Sequence, residues 1–129
     1  MELSNQRHTN LEKIRKQTQS DPNLMVDLIN IYLEQTPGLV KTMRVAMTQQ
    51  DWPLLKAAAH KIKPSFRIVG EVVSGEQLAS EIEQQASEGA PTSLRLNSIL
   101  DKLERLCEEI YNELHDELGS LGKMGYTRR

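Results

Sequence analysis

The sequence predicts an all-α protein, an antiparallel up-and-down helical bundle, and three observations carry that class. Leucine supplies 17 of the 129 residues and glutamate 13, against 5 aromatics, a composition that favours helix over a strand-built core. Apolar residues recur at steps of three and four along most of the chain. N-cap residues, prolines and glycines cut the chain into pieces of helical length with short connections, which make neighbouring helices antiparallel. The length suits one domain with one core.

Taken in order, the punctuation predicts six helices. Residues 1–8 read as a flexible N-terminus. Thr9 and Glu12 have the spacing of a capping box and open a short helix to about Gln19. Asp21-Pro22 is an N-cap with proline in the first turn and starts a helix to about Gln35. Its apolar face is read as Leu24, Leu28 and Ile31, flanked by Met25 and Tyr32. Thr36-Pro37 repeats the signal and starts a third helix to about Gln50, with Leu39, Met43 and Met47 inward. Asp51-Trp52-Pro53 opens a fourth, ending near Val69 with Gly70 as its stop. Ser74 to Gln77 reads as a second capping box for a fifth helix that carries Leu78 and Ile82 and ends near Gly89. After a loop from Ser87 to Thr92, the sixth helix runs to about Leu118 on Leu96, Ile99, Leu103, Leu106 and Ile110, broadened by Leu100, Cys107 and Leu114. Residues 119–129 have no period and three glycines, and read as a disordered tail.

Composition excludes several functions. No apolar run reaches the ~18 residues of a membrane span, and the N-terminus has no signal-peptide core. A single cysteine, Cys107, excludes an internal disulfide and any multi-cysteine metal site. The formal charge of −2 argues against nucleic-acid binding, and no Gly-rich phosphate loop is present. Of the three histidines, His8 and His115 read as surface side chains at the ends of the fold. The Met25, Met43 and Met47 set reads as core, Cys107 as a small packed hydrophobe, and Glu104, Glu108 and Glu109 as a solvated face. Trp52 is expected to close one end of the bundle.

His60 stands apart. On a helical wheel turning about 100° per residue, Leu55, Ile62, Phe66 and Val69 fall roughly opposite it, so the imidazole points to solvent. Lys56, Lys63 and Arg67 flank it as a basic stripe, and Ala57 and Pro64 leave it uncrowded. An exposed imidazole is nucleophilic near neutral pH, and nearby cations offset the charge of a phosphoryl group placed on it and attract an acidic partner. That pattern suits a phosphoryl carrier.

The stretch from Ala59 to Gly70 (AHKIKPSFRIVG) resembles the phosphorylation motif of histidine-containing phosphotransfer (HPt) domains, with lysine three residues after the histidine, then a small residue, serine and a later glycine. The run from Leu28 to Glu34, Thr36-Pro37 and Asp51-Trp52 are similar to the family as well, so the likeness spans residues 9–118. The resemblance implies a four-helix bundle preceded by one or two short helices. It implies a cytoplasmic, monomeric phosphoprotein of a two-component phosphorelay, which takes phosphate from the aspartate of one response-regulator receiver and passes it to another. Those receivers could include one from a hybrid sensor histidine kinase. On that likeness His60 is the phosphoacceptor through Nε2, Lys63 steadies the phosphate and Ser65 orients the site, while Lys56, Ala57, Lys61, Pro64 and Arg67 meet the partner. The chain needs no cofactor of its own, because the receiver brings Mg²⁺, and it has no nucleotide site for kinase activity.

Many members have glycine where this chain has Pro64. Proline lacks the N–H that would serve the His60 carbonyl and crowds it, so a mild kink is expected. A sensor-kinase dimerisation domain fits less well, since it carries glutamate directly after the histidine and proline five residues on, where this chain has Lys61 and Pro64. The alternative is a non-phosphorylated helical adaptor that binds receiver or kinase partners.

Overall fold

A computed structural model describes residues 8–88 and 93–123. It contains α1 (Leu11–Gln17), α2 (Pro22–Gln49), α3 (Trp52–Ile68), α4 (Val73–Ser87) and α5 (Ser93–Lys123). Successive long helices run antiparallel, and contacts close a ring in which α3 touches α2 and α4, and α5 touches α4 and α2. This is the expected four-helix bundle with one short helix in front. Residues 1–7, 89–92 and 124–129, which include most of the predicted flexible N-terminus, part of the 87–92 loop and the end of the predicted tail, lie outside the described residues.

Six helices became five because α2 passes straight through Thr36-Pro37. Pro37 deprives the Leu33 carbonyl of its helical donor. Both halves nevertheless bury side chains in one core, Met25, Val26, Ile29 and Tyr32 before the proline and Met43, Ala46 and Met47 after it. That shared burial outweighs one lost hydrogen bond. Thr36 is itself buried, so it cannot serve as a cap at a solvated helix start. The predicted apolar face of this segment was also one position out of register. Leu24 and Ile31 are exposed, and the buried stripe is Met25, Val26, Ile29 and Tyr32.

Helix ends follow side-chain chemistry where an oxygen is in place. Asp21 accepts from the Asn23 amide at 2.9 Å and Asp51 from the Leu54 amide at 3.1 Å. The cap of α1 is Asn10, which accepts from Lys13 at 3.1 Å, and not the predicted Thr9. Ser74 caps nothing, because α4 already starts at Val73 with no side-chain cap. Gly75 serves packing instead, since a Cβ there would stand 2.3 Å from the Phe66 ring, so only glycine lets α4 close on α3. Gly70 does end α3, with φ +99°, and a Cβ on it would meet the Asn10 backbone at 2.6 Å. That close approach seats α1 across the α3–α4 turn, where Ile14 is buried and Gln17 donates to the Arg67 carbonyl at 2.7 Å.

The predicted face of the last helix is buried throughout, from Leu96 to Leu114. The helix outruns its expected end at Leu118 and continues to Lys123, through residues read as disordered. Leu118 and Leu121 extend the inward stripe beyond Leu114, and Leu121 is buried. That packing offsets the helix penalty of Gly119. Tyr32 packs edge-on against Phe66 at the centre of the core, with ring centroids 6.4 Å apart.

Candidate functional site

His60 lies in mid-α3 with its side chain 70% exposed, opposite the buried Leu55, Ile62 and Phe66, as the wheel predicts. Lys56, Ala57, Lys61, Pro64 and Arg67 share its exposed surface and Lys63 is half-buried beside it. α3 continues through Pro64 to Ile68. The proline ring stands on the exposed side, where the carbonyl that lost its donor can be hydrated. Ser65 is different. It is buried, 6% exposed, on the inner side of α3.

What surrounds His60 comes from α4. His60 Nδ1 lies 2.9 Å from Glu83 Oε2, and Lys63 Nζ lies 2.7 Å from the other oxygen of the same carboxylate. Lys63 also donates to Ser80 Oγ at 3.4 Å, and Arg67 pairs with Glu76. Residues 60, 63 and 67 on α3 and 83, 80 and 76 on α4 thus face each other in antiparallel order, a polar ladder along the seam of the two helices. The Lys63 ammonium holds the Glu83 carboxyl below its ordinary value of 4.5, burial opposes it, and His60 adds a smaller lowering effect. An ionised carboxylate only accepts, so Nδ1 must be the donor to Glu83. In the neutral ring that leaves Nε2 bearing the lone pair, with no partner among the described residues.

The ladder revises the electrostatics. The basic stripe of Lys56, Lys63 and Arg67 is in large part neutralised by Glu83 and Glu76, while Lys56 and Lys61 have no ion-pair partner among the described residues. Between the two helices runs a groove of about 500 Å³, lined by Lys63, Arg67, Glu76 and Ser80 among others. Glu83 was missed in the sequence. Its signal is the polar stripe Glu76, Ser80, Glu83, with helical spacing on the helix that follows the histidine, but choosing it over the other glutamates requires the α3–α4 register.

Elsewhere, His8 is exposed, as expected, and is also tied to α5. Its Nε2 lies 2.6 Å from Glu109 Oε1, and the amides of His8 and Thr9 donate to Glu113 at 3.0–3.1 Å. Glu104 leaves the solvated face to bind Arg44, at 2.5 Å. Cys107 and the three helix-spaced methionines are buried as expected, and Trp52 packs against the core at the entry to α3. His115 is exposed, with its ring 4.8 Å from that of Tyr111.

Residues 27–122 match the Hpt domain family, a span that holds all four bundle helices apart from the first five residues of α2 and the last residue of α5. The chain belongs to that family. Hpt domains are phosphocarrier modules of phosphorelays that interact with receiver domains, and they are not kinases. No curated protein and no solved structure matches the chain. Among the described residues no helix is long and apolar enough to cross a membrane.

Proposed function

We propose that the chain is a cytoplasmic phosphorelay intermediate in which His60 takes a phosphoryl group from the aspartyl phosphate of one receiver domain and gives it to the aspartate of another. The observation that supports this best is the held imidazole: Nδ1 tied to Glu83 at 2.9 Å, Nε2 open on an exposed, uncrowded face. In the first step the Nε2 lone pair attacks phosphorus, the bond from phosphorus to the aspartyl oxygen breaks, and aspartate leaves as carboxylate. No proton has to leave Nε2, because the ring proton is already on Nδ1. The phosphorylated ring becomes cationic, and Glu83 faces the Nδ1–H that carries that charge. The return step reverses these bonds toward a second receiver.

Lys63 supplies positive charge to the incoming phosphoryl oxygens and holds Glu83 ionised. Lys56 and Lys61 give an acidic receiver surface its steering field, and Ala57 and Pro64 keep the approach clear. Mg²⁺ and the acidic pocket belong to the receiver, and the chain itself transfers nothing from ATP. Ser65, buried on the inner side of α3, orients the site by fixing the packing of that helix.

The test is transfer of labelled phosphate from a phosphorylated receiver, with Mg²⁺, to the purified chain. The product is expected to be an acid-labile, base-stable phosphoramidate, absent from His60→Gln. Label persisting on that variant sinks the assignment. Failure of the wild type with a broad panel of receivers favours the adaptor.

A further inference from the structure

Phosphorylation changes what the bond between His60 and Glu83 must hold. Before it, Nδ1 of a neutral ring donates to the Glu83 carboxylate at 2.9 Å. After it, the same Nδ1–H belongs to a cationic ring, which releases a proton to water far more readily than a neutral one. The fate of that proton decides what the phosphohistidine can do next.

A phosphoramidate of imidazole is acid-labile and base-stable because of its leaving group. When Nδ1 keeps its proton, the Nε2–P bond breaks with its electron pair returning to Nε2, and the ring departs as neutral imidazole. When Nδ1 has lost it, the same cleavage must expel an imidazolate anion, and the bond persists. The protonated ring is a phosphoryl donor and the deprotonated ring a phosphoryl store.

The surroundings of Nδ1 favour the donor. The side chains of Lys63 and Glu83 are only 20% and 21% exposed, so solvent screens them less than an open surface pair. Lys63 holds the Glu83 carboxyl below its ordinary value, which keeps the acceptor ionised in neutral and alkaline solution. The Lys63 ammonium repels a ring proton, but it lies against Oε1 at 2.7 Å, while Oε2 meets Nδ1 directly. Lys56 and Lys61 are exposed to solvent, and Arg67 pairs with Glu76 further along the seam. Among the described residues no ionisable side chain of α2 bonds to the ring.

We propose that Glu83 keeps the proton on Nδ1 after phosphorylation, so that phosphorylated His60 remains a competent donor through neutral and mildly alkaline pH and the site works as a two-way relay rather than a store. This rests on the role proposed above for His60. In the donating step a receiver aspartate oxygen bonds to phosphorus, the Nε2–P bond breaks, and Nδ1 keeps its proton throughout. Neither direction of transfer then waits on proton exchange with solvent.

The test requires no receiver. Potassium phosphoramidate serves as phosphoryl donor to the full chain, and ¹⁵N spectra follow Nδ1 of the modified ring with pH, its signal identified by its loss in His60→Gln. The wild type is expected to keep the Nδ1 proton to a pH about one unit higher than Glu83→Gln, roughly a tenfold difference in the protonated ratio. At about pH 8 the label on Glu83→Gln is expected to outlive that on the wild type roughly threefold or more, whereas loss of a residue that only braced α4 would not lengthen it. Glu76→Gln, which removes a carboxylate from the same ladder without touching the ring, should titrate as the wild type does. Equal midpoints in the wild type and Glu83→Gln overturn the proposal, as does a shorter-lived label on Glu83→Gln. Independently of that variant's folding, the midpoint of the phosphorylated wild type should be higher folded than in urea, and equality overturns the proposal. A wild type that takes no label at His60 overturns both this proposal and the relay role. The expected midpoints without exchange with any receiver support the proton assignment and sink the relay role alone.

Discussion

Glu83 carries more of the site than its place in an acidic helix suggests. It meets two groups from the neighbouring helix at once, and its ionisation decides which imidazole nitrogen bears the proton. Glu83→Gln should lower the share of the Nδ1–H form of His60, read directly from ¹⁵N shifts, and slow phosphotransfer roughly tenfold, about 1.4 kcal/mol. Unchanged shifts and rates would remove it from the mechanism. Its pH behaviour has a definite sign. A carboxyl held below its unfolded value contributes stability that is present above that value and lost as the pH falls through the folded one. The Glu83 contacts should therefore persist through neutral and mildly acid solution, with a carboxyl ¹³C titration midpoint below 4.5. A midpoint at or above that value would contradict the ion pair with Lys63. Lys63→Ala should slow transfer or shorten the lifetime of the phosphohistidine, followed by loss of label.

Helices show where pattern reading succeeds and where it gives way. The last helix has a single apolar stripe, and every residue assigned to it is buried. In α2 two stripes compete, and Leu24 and Ile31 lost to Met25, Val26 and Ile29 because only contact with α3 and α5 distinguishes them. Proline and glycine have local meanings that packing can overrule, as Pro37 inside α2 and Gly119 inside α5 both show. Gly75 is the converse, a glycine demanded by a neighbour and invisible to local reading. Gly75→Ala drives a Cβ into Phe66 and should cost about 1–3 kcal/mol of unfolding free energy. Gly38→Ala, also in a helix but with open space around it, should stabilise by roughly 0.5–1 kcal/mol. Urea midpoints of the two variants should move in opposite directions, and a common direction would refute the packing account.

Across the whole molecule, α1 and the residues before it tie distant elements together. Ile14 is buried over the α3–α4 turn, Lys13 pairs with Glu71 at 3.1 Å, and His8 and Thr9 reach Glu109 and Glu113 on α5. This attachment lies well along α3 from His60. Ile14→Ala should therefore lower stability by about 2 kcal/mol or more while leaving the rate of transfer to His60 unchanged. A matching fall in transfer would show that α1 supports the site as well as the fold. The two edges of the bundle differ as well: the α3–α4 seam displays a polar ladder, and the α2–α5 edge is braced by Arg44, which binds Asp101 and Glu104.

The helical class, the antiparallel bundle, the outward direction of His60 and its neighbours on α3 were all determined by the sequence alone, because periodicity and caps act within one helix. The partners that His60 and Lys63 find on α4, the burial of Ser65, and the merging of two predicted helices into α2 were decided by the tertiary structure. The reason is one of range. A helix fixes which side chains share a face, but the register between helices is set by the sum of many contacts, and only that register brings a carboxylate 23 positions away to within 2.9 Å of the imidazole.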